Sequence, residues 1–255
     1  MDITLIPVIM RRKGWLNGAR LQDIWFAGAP NSDPERGAPD TTTIRMDSWA
    51  LTFPRCATAY SNLVSQKLWL SHDSQRWLSN KLLEKGLFQT TRTTFGNLAR
   101  PVPQVNADYY IHESGVGSIT DPLDDMYAAL GRFSFRVAVS GSVVPAGTIP
   151  MPPGASMTRR PRPGTLPQHS VQIERVGIYI FDSFDFNGFQ FLGFWSPTDV
   201  TRAPIPGYVE VWNSTYRDWR SKNGRGGDFL VYSDMKILRR DPPDTFMFPL
   251  STQLP

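Results

Sequence analysis

The residues of this chain best suited to chemistry lie in one run, Phe181-Asp182-Ser183-Phe184-Asp185-Phe186-Asn187-Gly188. Two carboxylates three positions apart can share a cation, or divide into acid and base where their environments differ. The same residues also make a turn. Asp and Asn ahead of Gly bond their own backbone, and the alternating Phe side chains pack such a turn onto a core. Both readings stand at this level. A second polar run, Lys222-Asn223-Gly224-Arg225-Gly226-Gly227-Asp228, carries glycines that let an anion approach. A phosphate cradle leads from a strand into a helix N-terminus, where amides and dipole face the anion. Here the glycines follow a helix and precede a strand, so the pattern reads first as a helix stop with a tight return. Arg225 is the candidate anion anchor and Asp228 its neighbour, facing a ligand or each other across the turn. Asn187 and Trp195 complete the candidate binding residues.

The histidines are His72, His112 and His169, and none stands at a metal-ligand spacing. His112-Glu113, beside Gly115 and Gly117, is an outside candidate for a general base, because imidazole titrates near neutrality. His72 reads as helix-end or loop surface, and His169 as belonging to a proline-rich loop. There is no Gly-x-Ser-x-Gly elbow, zinc signature, dinucleotide fingerprint or Walker loop, so no metal site is assigned and the cofactor is unknown. Cys56 sits among apolar neighbours in an expected helix and reads as core rather than nucleophile. Trp195, Trp212 and Trp219 flank loops, where they can stack bases or sugars, although tryptophans also serve packing. If the chain is an enzyme, these residues point to hydrolysis, with Asp182 and Asp185 as acid and base or as metal ligands.

The elements that must position these residues change character along the chain. Asp2 can cap an amphipathic turn through Ile6, Ile9 and Met10 that ends at Gly14. Asn17 can cap a second helix with Leu21, Ile24 and Trp25 on one face, closed by Gly28. Residues 30–43 read as loop. A helical pattern from Asp47 to Leu70 must kink or split at Pro54. Ser74 to Lys85 is the clearest helix, and Asp121-Pro122 opens another that Gly131 stops. A strand is expected at Tyr109 to His112. From Phe133 the period becomes two, with Phe133, Phe135, Val137 and Val139 alternating with smaller or polar residues. Residues 145–167, with seven prolines and three arginines, read as a long exposed crossing loop. Val171 to Ile180 is the partner strand with a bulge near Gly177. Phe189 to Trp195, Tyr208 to Trp212 and Asp228 to Tyr232 are further strands, with a helix from Asn213 to Gly224 between the last two. Helices first and sheet second predict an α+β fold, N-terminal helices packed on a mainly antiparallel C-terminal sheet. The chain is read as a single domain, 1–255. Within it, residues 1–131 are mainly helical, residues 132–240 form the sheet with one inserted helix, and residues 241–255 are an extended tail.

A length of 255 residues with 15 Phe and 8 Trp gives material for a real core. One cysteine excludes an intramolecular disulfide and a cysteine metal cluster, so a reducing cytoplasm is the expected folding compartment. The apolar run Ile3 to Met10 precedes Arg11-Arg12-Lys13, the wrong order for a secretory signal, and no transmembrane segment is expected. The net charge of +4 is mild. However, residues 126–173 contain no acid while Arg132, Arg136, Arg159, Arg160 and Arg162 fall inside. That stretch can attract nucleic acid or an anionic membrane, or be a solvated basic loop with acidic neighbours elsewhere in the fold.

Several blocks in order resemble one bacterial family. They are Ile6-Pro7 to Gly14-Trp15, Trp25-Phe26-Ala27-Gly28, Trp49-Ala50-Leu51 and Phe53-Pro54-Arg55, then Leu123-Asp124-Asp125 and Ala129-Leu130-Gly131-Arg132-Phe133. Asp182 to Gly188, Leu192-Gly193-Phe194-Trp195-Ser196 and Gly224-Arg225-Gly226-Gly227-Asp228-Phe229 complete the set. Together they look like the DUF6402 family of proteobacteria, over nearly the whole chain outside residues 145–167. The resemblance implies a setting: members are similar to proteins encoded near type VI secretion spike and tip components. It brings no catalytic residues. The expectation is an antibacterial effector (toxin), made in the cytoplasm and delivered to target cells without a signal peptide. Its partners would be a spike or tip protein and a cognate immunity protein. The alternative is a non-catalytic adaptor, chaperone or immunity protein that binds a secretion-system partner.

Overall fold

The computed structural model describes residues 1–150 and 165–249. At the start of the chain α1 (Ile6–Arg12), α2 (Leu16–Ala27), α3 (Pro54–Ser65) and α4 (His72–Glu84) lead to β1 (Thr93–Phe95). Next come α5 (Val102–Tyr109), β2 (Tyr110–Val116) and α6 (Asp125–Leu130). Then follow β3 (Phe133–Pro150), β4 (Thr165–Phe184), β5 (Phe191–Trp195), β6 (Val200–Thr201) and β7 (Val209–Trp212). The chain closes with α7 (Asn213–Asn223), β8 (Phe229–Tyr232) and β9 (Lys236–Pro249). All strand pairs with a described register are antiparallel, and the α+β class stands.

The chain divides into two compact units, each threaded from three segments. The first takes Met1–Asn62, Ser114–Phe135 and Tyr179–Asp234; the second takes Leu63–Glu113, Arg136–Ile178 and Met235–Pro255. In the first unit the end of β4 pairs with β8, Phe181 opposite Tyr232 and Phe184 opposite Phe229. A separate small sheet has the order β6-β5-β7. In the second unit β1 pairs with β3, and β9 pairs with β4 from Gln168 to Ile178.

Local rules explain where the helices of the first unit start and stop. Asp2 accepts from the Thr4 amide (2.9 Å) and caps a 3-10 turn that runs into α1; Ile6, Ile9 and Met10 are buried on one face. Gly14, with φ +78°, lets the chain turn left-handed after it. Asn17 does not cap α2, because the helix already begins at Leu16. Asp125 does so from a distance, accepting from the amides of Gly18 (2.9 Å) and Asn17 (3.3 Å) and from Trp49 Nε1 (2.9 Å). A carboxylate there both satisfies orphan amides and meets the positive end of the helix. Gly18 gives α2 its close approach to α6: a Cβ there would lie 2.8 Å from the Ala128 Cβ.

Pro54 opens α3 instead of kinking it, since proline at the first position loses no helix hydrogen bond. Similarly, α6 starts at Asp125 and not at Asp121-Pro122, with Asp124 as the cap on the Tyr127 amide (2.9 Å). Asp124 also receives a two-pronged bond from Arg55 (2.7 and 2.6 Å). Burial works against the Asp124 charge, but the Arg55 bonds and the Tyr127 amide outweigh it and hold the carboxyl below its usual range. A depressed carboxyl stabilises the fold above its unfolded pKa, near 3.9, and that contribution is lost as pH falls through the folded value. We expect Asp124→Asn to cost about 2 kcal/mol at neutral pH. Urea unfolding of the two proteins at stepwise lower pH checks this: the gap closes below pH ~3.9.

The sheet departs from expectation at three places. β3 and β4 extend over residues 145–150 and 165–167, expected as crossing loop, while residues 151–164, with Arg159, Arg160 and Arg162, lie outside the described residues. The register shift in β4 falls between Ile173 and Arg175 rather than near Gly177. Residues 241–249, expected as a surface tail, form half of β9 and pair with β4. In that segment Asp244 gathers Lys67 Nζ (2.8 Å), Trp69 Nε1 (3.0 Å) and Arg240 Nε (2.7 Å). Those bonds anchor a stretch whose prolines alone suggested loop.

Candidate functional site

The run from Asp182 to Gly188 leaves β4 at Phe184 and turns back toward β5. The expected turn chemistry is present. Asp185 accepts from the Ser183 hydroxyl (2.8 Å) and from the Asn187 amide (2.9 Å). Arg217, on α7, donates to the carbonyls of Phe186 and Gly188, 2.7 Å each. Phe186 stacks flat on Tyr216, with ring centroids 3.7 Å apart, and meets Trp25 edge-on. The turn is thus fastened to α2 and α7 by its apolar side chains, while its carboxyls are left to other work.

Asp228 has a structural role. It is fully buried and accepts from Trp25 Nε1 (2.7 Å), from Arg220, and from Asn187 Nδ2 (3.2 Å). Burial pushes this carboxyl up, against the Trp25 hydrogen bond and the Arg220 charge. Of the two alternatives for the turn, the Arg225–Asp228 pairing does not form: Arg220 takes Asp228, and Arg225 is exposed. The glycine turn makes this possible by folding the end of α7 back along its own last turn. Gly226 holds φ +100°, and a Cβ there would lie 2.5 Å from the Trp25 ring. We expect Gly226→Ala to cost about 3 kcal/mol through combined overpacking and left-handed strain, read as a lower thermal midpoint.

The two aspartates of the turn open into a cavity that lies wholly in the first unit and holds about 230 Å³. Asp182, Asp185, Gln22, Asn213 and Arg132 are among its polar lining residues, and Trp15, Phe191 and Trp195 among its aromatic ones. Trp195 is buried and donates its indole N–H to the Leu192 carbonyl (3.1 Å). Burial raises the Asp182 carboxyl well above its usual range; the Ser183 amide opposes this and the Asp185 charge adds to it. A second hollow of about 490 Å³ adjoins the first and shares Leu123, Tyr127, Arg132, Gln190 and Phe191 with it. Its lining includes Arg202, Ile119 and Phe189 besides the shared Arg132, and no acidic residue. The Arg202 guanidinium lies over the Tyr127 ring at 4.7 Å, and Phe189 is 86% exposed.

Of the residues singled out from sequence, Asp182, Asp185 and Trp195 line the first cavity and Asn187 the second hollow. Asp228 lies behind the turn, bonded to Asn187, and Arg225 lines neither space. His112 belongs to the second unit. There its Nδ1 meets the Ser74 hydroxyl at 3.1 Å, and burial lowers its pKa. Ser74 is fully buried and donates to the Leu68 carbonyl (2.7 Å), so this pair packs a helix and is not poised as nucleophile and base. Cys56 is buried, and burial pushes its thiol up to about 12. In the basic stretch Arg136 pairs with Glu113 (3.0 Å) and only Arg132 among its described arginines faces the cavity system. Among the described residues no cluster of three or more His, Cys, Asp or Glu is placed to hold a metal ion. No described helix is long and apolar enough to cross a membrane.

Sequence reasoning missed Gln22 and Asn213. Gln22 is 5% exposed and Asn213 2% exposed, and each has a side-chain oxygen without a hydrogen-bond partner. The Asn213 amide cannot be turned over, because its nitrogen donates to the Asn187 carbonyl (2.6 Å), which can only accept. The signal available beforehand was a glutamine one turn before Phe26 on an otherwise apolar helix face.

A family model for DUF6402, a family of unknown function, matches residues 1–205 and 203–248, and the chain belongs to that family. No curated protein and no solved structure matches it.

Proposed function

We propose that this DUF6402 member is a type VI secretion-associated antibacterial effector, and that its activity is a hydrolysis carried by Asp182 and Asp185. The observation that supports hydrolysis is the contrast between two carboxyls on one cavity wall. Asp182 is held toward its protonated form by burial, while Asp185 is supplied with two hydrogen-bond donors. Two carboxyls in such different surroundings can divide into acid and base. Asp182 gives its proton to the leaving atom as that atom departs with the bonding electron pair. Asp185 takes a proton from the attacking water, whose oxygen forms the new bond. One water is consumed, and the carboxyls return to their starting states by exchange with solvent.

The secretion setting rests on the sequence resemblance, which also suggests the partners: a spike or tip protein and a cognate immunity protein. Synthesis in the cytoplasm and delivery without a cleaved signal belong to the same reading. A non-catalytic adaptor or immunity protein is the second reading, favoured by the exposed Phe189 and Ile119 (69% exposed) beside the second hollow. The test is expression in the cytoplasm and in the periplasm of a susceptible bacterium. Growth arrest in one compartment, relieved by Asp182→Ala with Asp185→Ala, is the expected result. Absence of arrest in both compartments sinks the effector reading, and undiminished arrest by the double variant removes this site. Co-purification with a neighbouring gene product, without toxicity, selects the adaptor.

A further inference from the structure

We propose that the second hollow is a docking site for an acidic segment of a protein partner, one that brings an apolar anchor flanked by carboxylates. This concerns binding alone and does not rest on the hydrolytic reading. Phe189 and Ile119, 86% and 69% exposed, are the two most exposed large apolar side chains among the described residues, and both line this hollow. Large apolar side chains gathered in one exposed place mark an interaction site. Arg132 and Arg202 line the same hollow and are exposed, and among the described residues neither forms an ion pair. Aromatic residues and arginine are the types enriched in protein interfaces and at their energetic centres.

The surface is set in place before a partner arrives. Arg217 donates to the Gly188 carbonyl (2.7 Å), just ahead of Phe189, and the Phe189 ring packs on Trp212 with centroids 4.7 Å apart. Trp212 in turn packs on Phe191 (4.9 Å), which also lines the hollow. Arg202 rests over Tyr127, another lining residue, and the turn that carries Ile119 is closed by the Ser118 amide on the Asp121 carboxylate (2.9 Å). Side chains ordered beforehand lose less entropy on binding.

Charge decides which partner fits. No acidic residue lines the hollow, and Asp121 and Asp124, the acids flanking Leu123 in the sequence, are paired with Arg55 (3.4 and 2.6 Å). Yet the first unit as a whole carries 16 Asp and Glu against 13 Lys and Arg. A long polyanion, whether nucleic acid or an anionic bilayer, meets that net negative charge outside the hollow. A segment with a few carboxylates around one apolar anchor is matched by the two guanidiniums. A second copy docked through this same patch sets arginine against arginine.

The test pans short random peptides, displayed on phage, against the full-length chain and measures the recovered peptides by fluorescence anisotropy. They are expected to share Asp or Glu flanking a Phe, Trp or Leu, and to stop binding when their acids are replaced by Lys. Phe189→Ala is expected to weaken them about tenfold or more, and Arg132→Glu with Arg202→Glu to do the same. All three side chains are exposed, so the urea midpoints of the variants should stay with that of the wild type. Trp212 gives a reading that needs no variant: its indole N–H resonance in the wild-type chain should shift as peptide is added. Recovery of no peptide, peptides without acids, a still resonance, or binding indifferent to these substitutions overturns the proposal. Binding of oligodeoxythymidine or of phosphatidylglycerol vesicles that depends on Phe189 and Arg202 overturns it too, as does a dimer that Phe189→Ala dissolves. Peptide binding by a chain without toxicity leaves the docking site standing and removes the effector reading. Toxicity of a chain that takes no acidic peptide does the reverse.

Discussion

Asp182→Asn is expected to slow the proposed hydrolysis by about 10²–10⁴-fold, the usual contribution of a positioned proton donor, while making the protein more stable at neutral pH. The two effects share one cause. Burial raises the folded pKa of Asp182 well above the ordinary value, with the Asp185 charge adding to it. Between the unfolded pKa, near 3.9, and the raised folded value, the folded state binds the extra proton, so stability falls as pH rises through that window. Asparagine carries no titrating proton and escapes the decline. Urea midpoints of both proteins from pH 4 upward should therefore diverge in favour of the variant, and turnover of the wild type should fall as pH rises through the folded pKa. A variant that lost activity and stability together would show Asp182 to be a packing residue.

The second large effect lies behind the turn. Arg220 and Asp228 have side chains 11% and 0% exposed, and removing one partner of a buried pair strands the other. Arg220→Ala is expected to cost about 3–5 kcal/mol, seen as a fall of about 1 M or more in the urea midpoint. Some of that loss is packing, since the guanidinium also lies 5.2 Å over the Trp25 ring. Adding Asp228→Asn should recover a share of the stability, because a neutral amide still accepts from Trp25 Nε1 without an uncompensated charge. If the double variant is no better than Arg220→Ala alone, the penalty is lost packing and not stranded charge.

These two sites show which features could be read in advance. The place of Asp182 and Asp185 at a strand end was legible because acids among alternating phenylalanines break an apolar pattern, and the pattern does not depend on distant partners. Arg225 drew attention for its glycines, yet Arg220 is the residue that reaches Asp228. Choosing between them requires knowing how the Gly224–Gly226 turn folds the helix end back. Asn17 looked like a cap by local rules, whereas the cap on α2 comes from Asp125, more than a hundred residues later. The helix and strand pattern from α6 onward followed periodicity. Residues 241–249 did not, because their prolines conceal a strand held by Lys67, Trp69 and Arg240 through Asp244. The unpartnered oxygens of Gln22 and Asn213 belong to the same class of feature. They are defined by what does not approach them in three dimensions.

The threading of the first unit through residues 1–62, 114–135 and 179–234 has a consequence for the order in which the protein matures. As the chain leaves the ribosome N-terminus first, α2 emerges without the carboxylate that caps it, and β4 emerges before its partner β8. The first unit cannot close until about nine-tenths of the chain has been made, since its last segment ends at Asp234. Contacts so distant in sequence slow folding. A newborn chain therefore spends most of its synthesis as an incomplete scaffold, and no stop codon placed between the units can liberate either one intact.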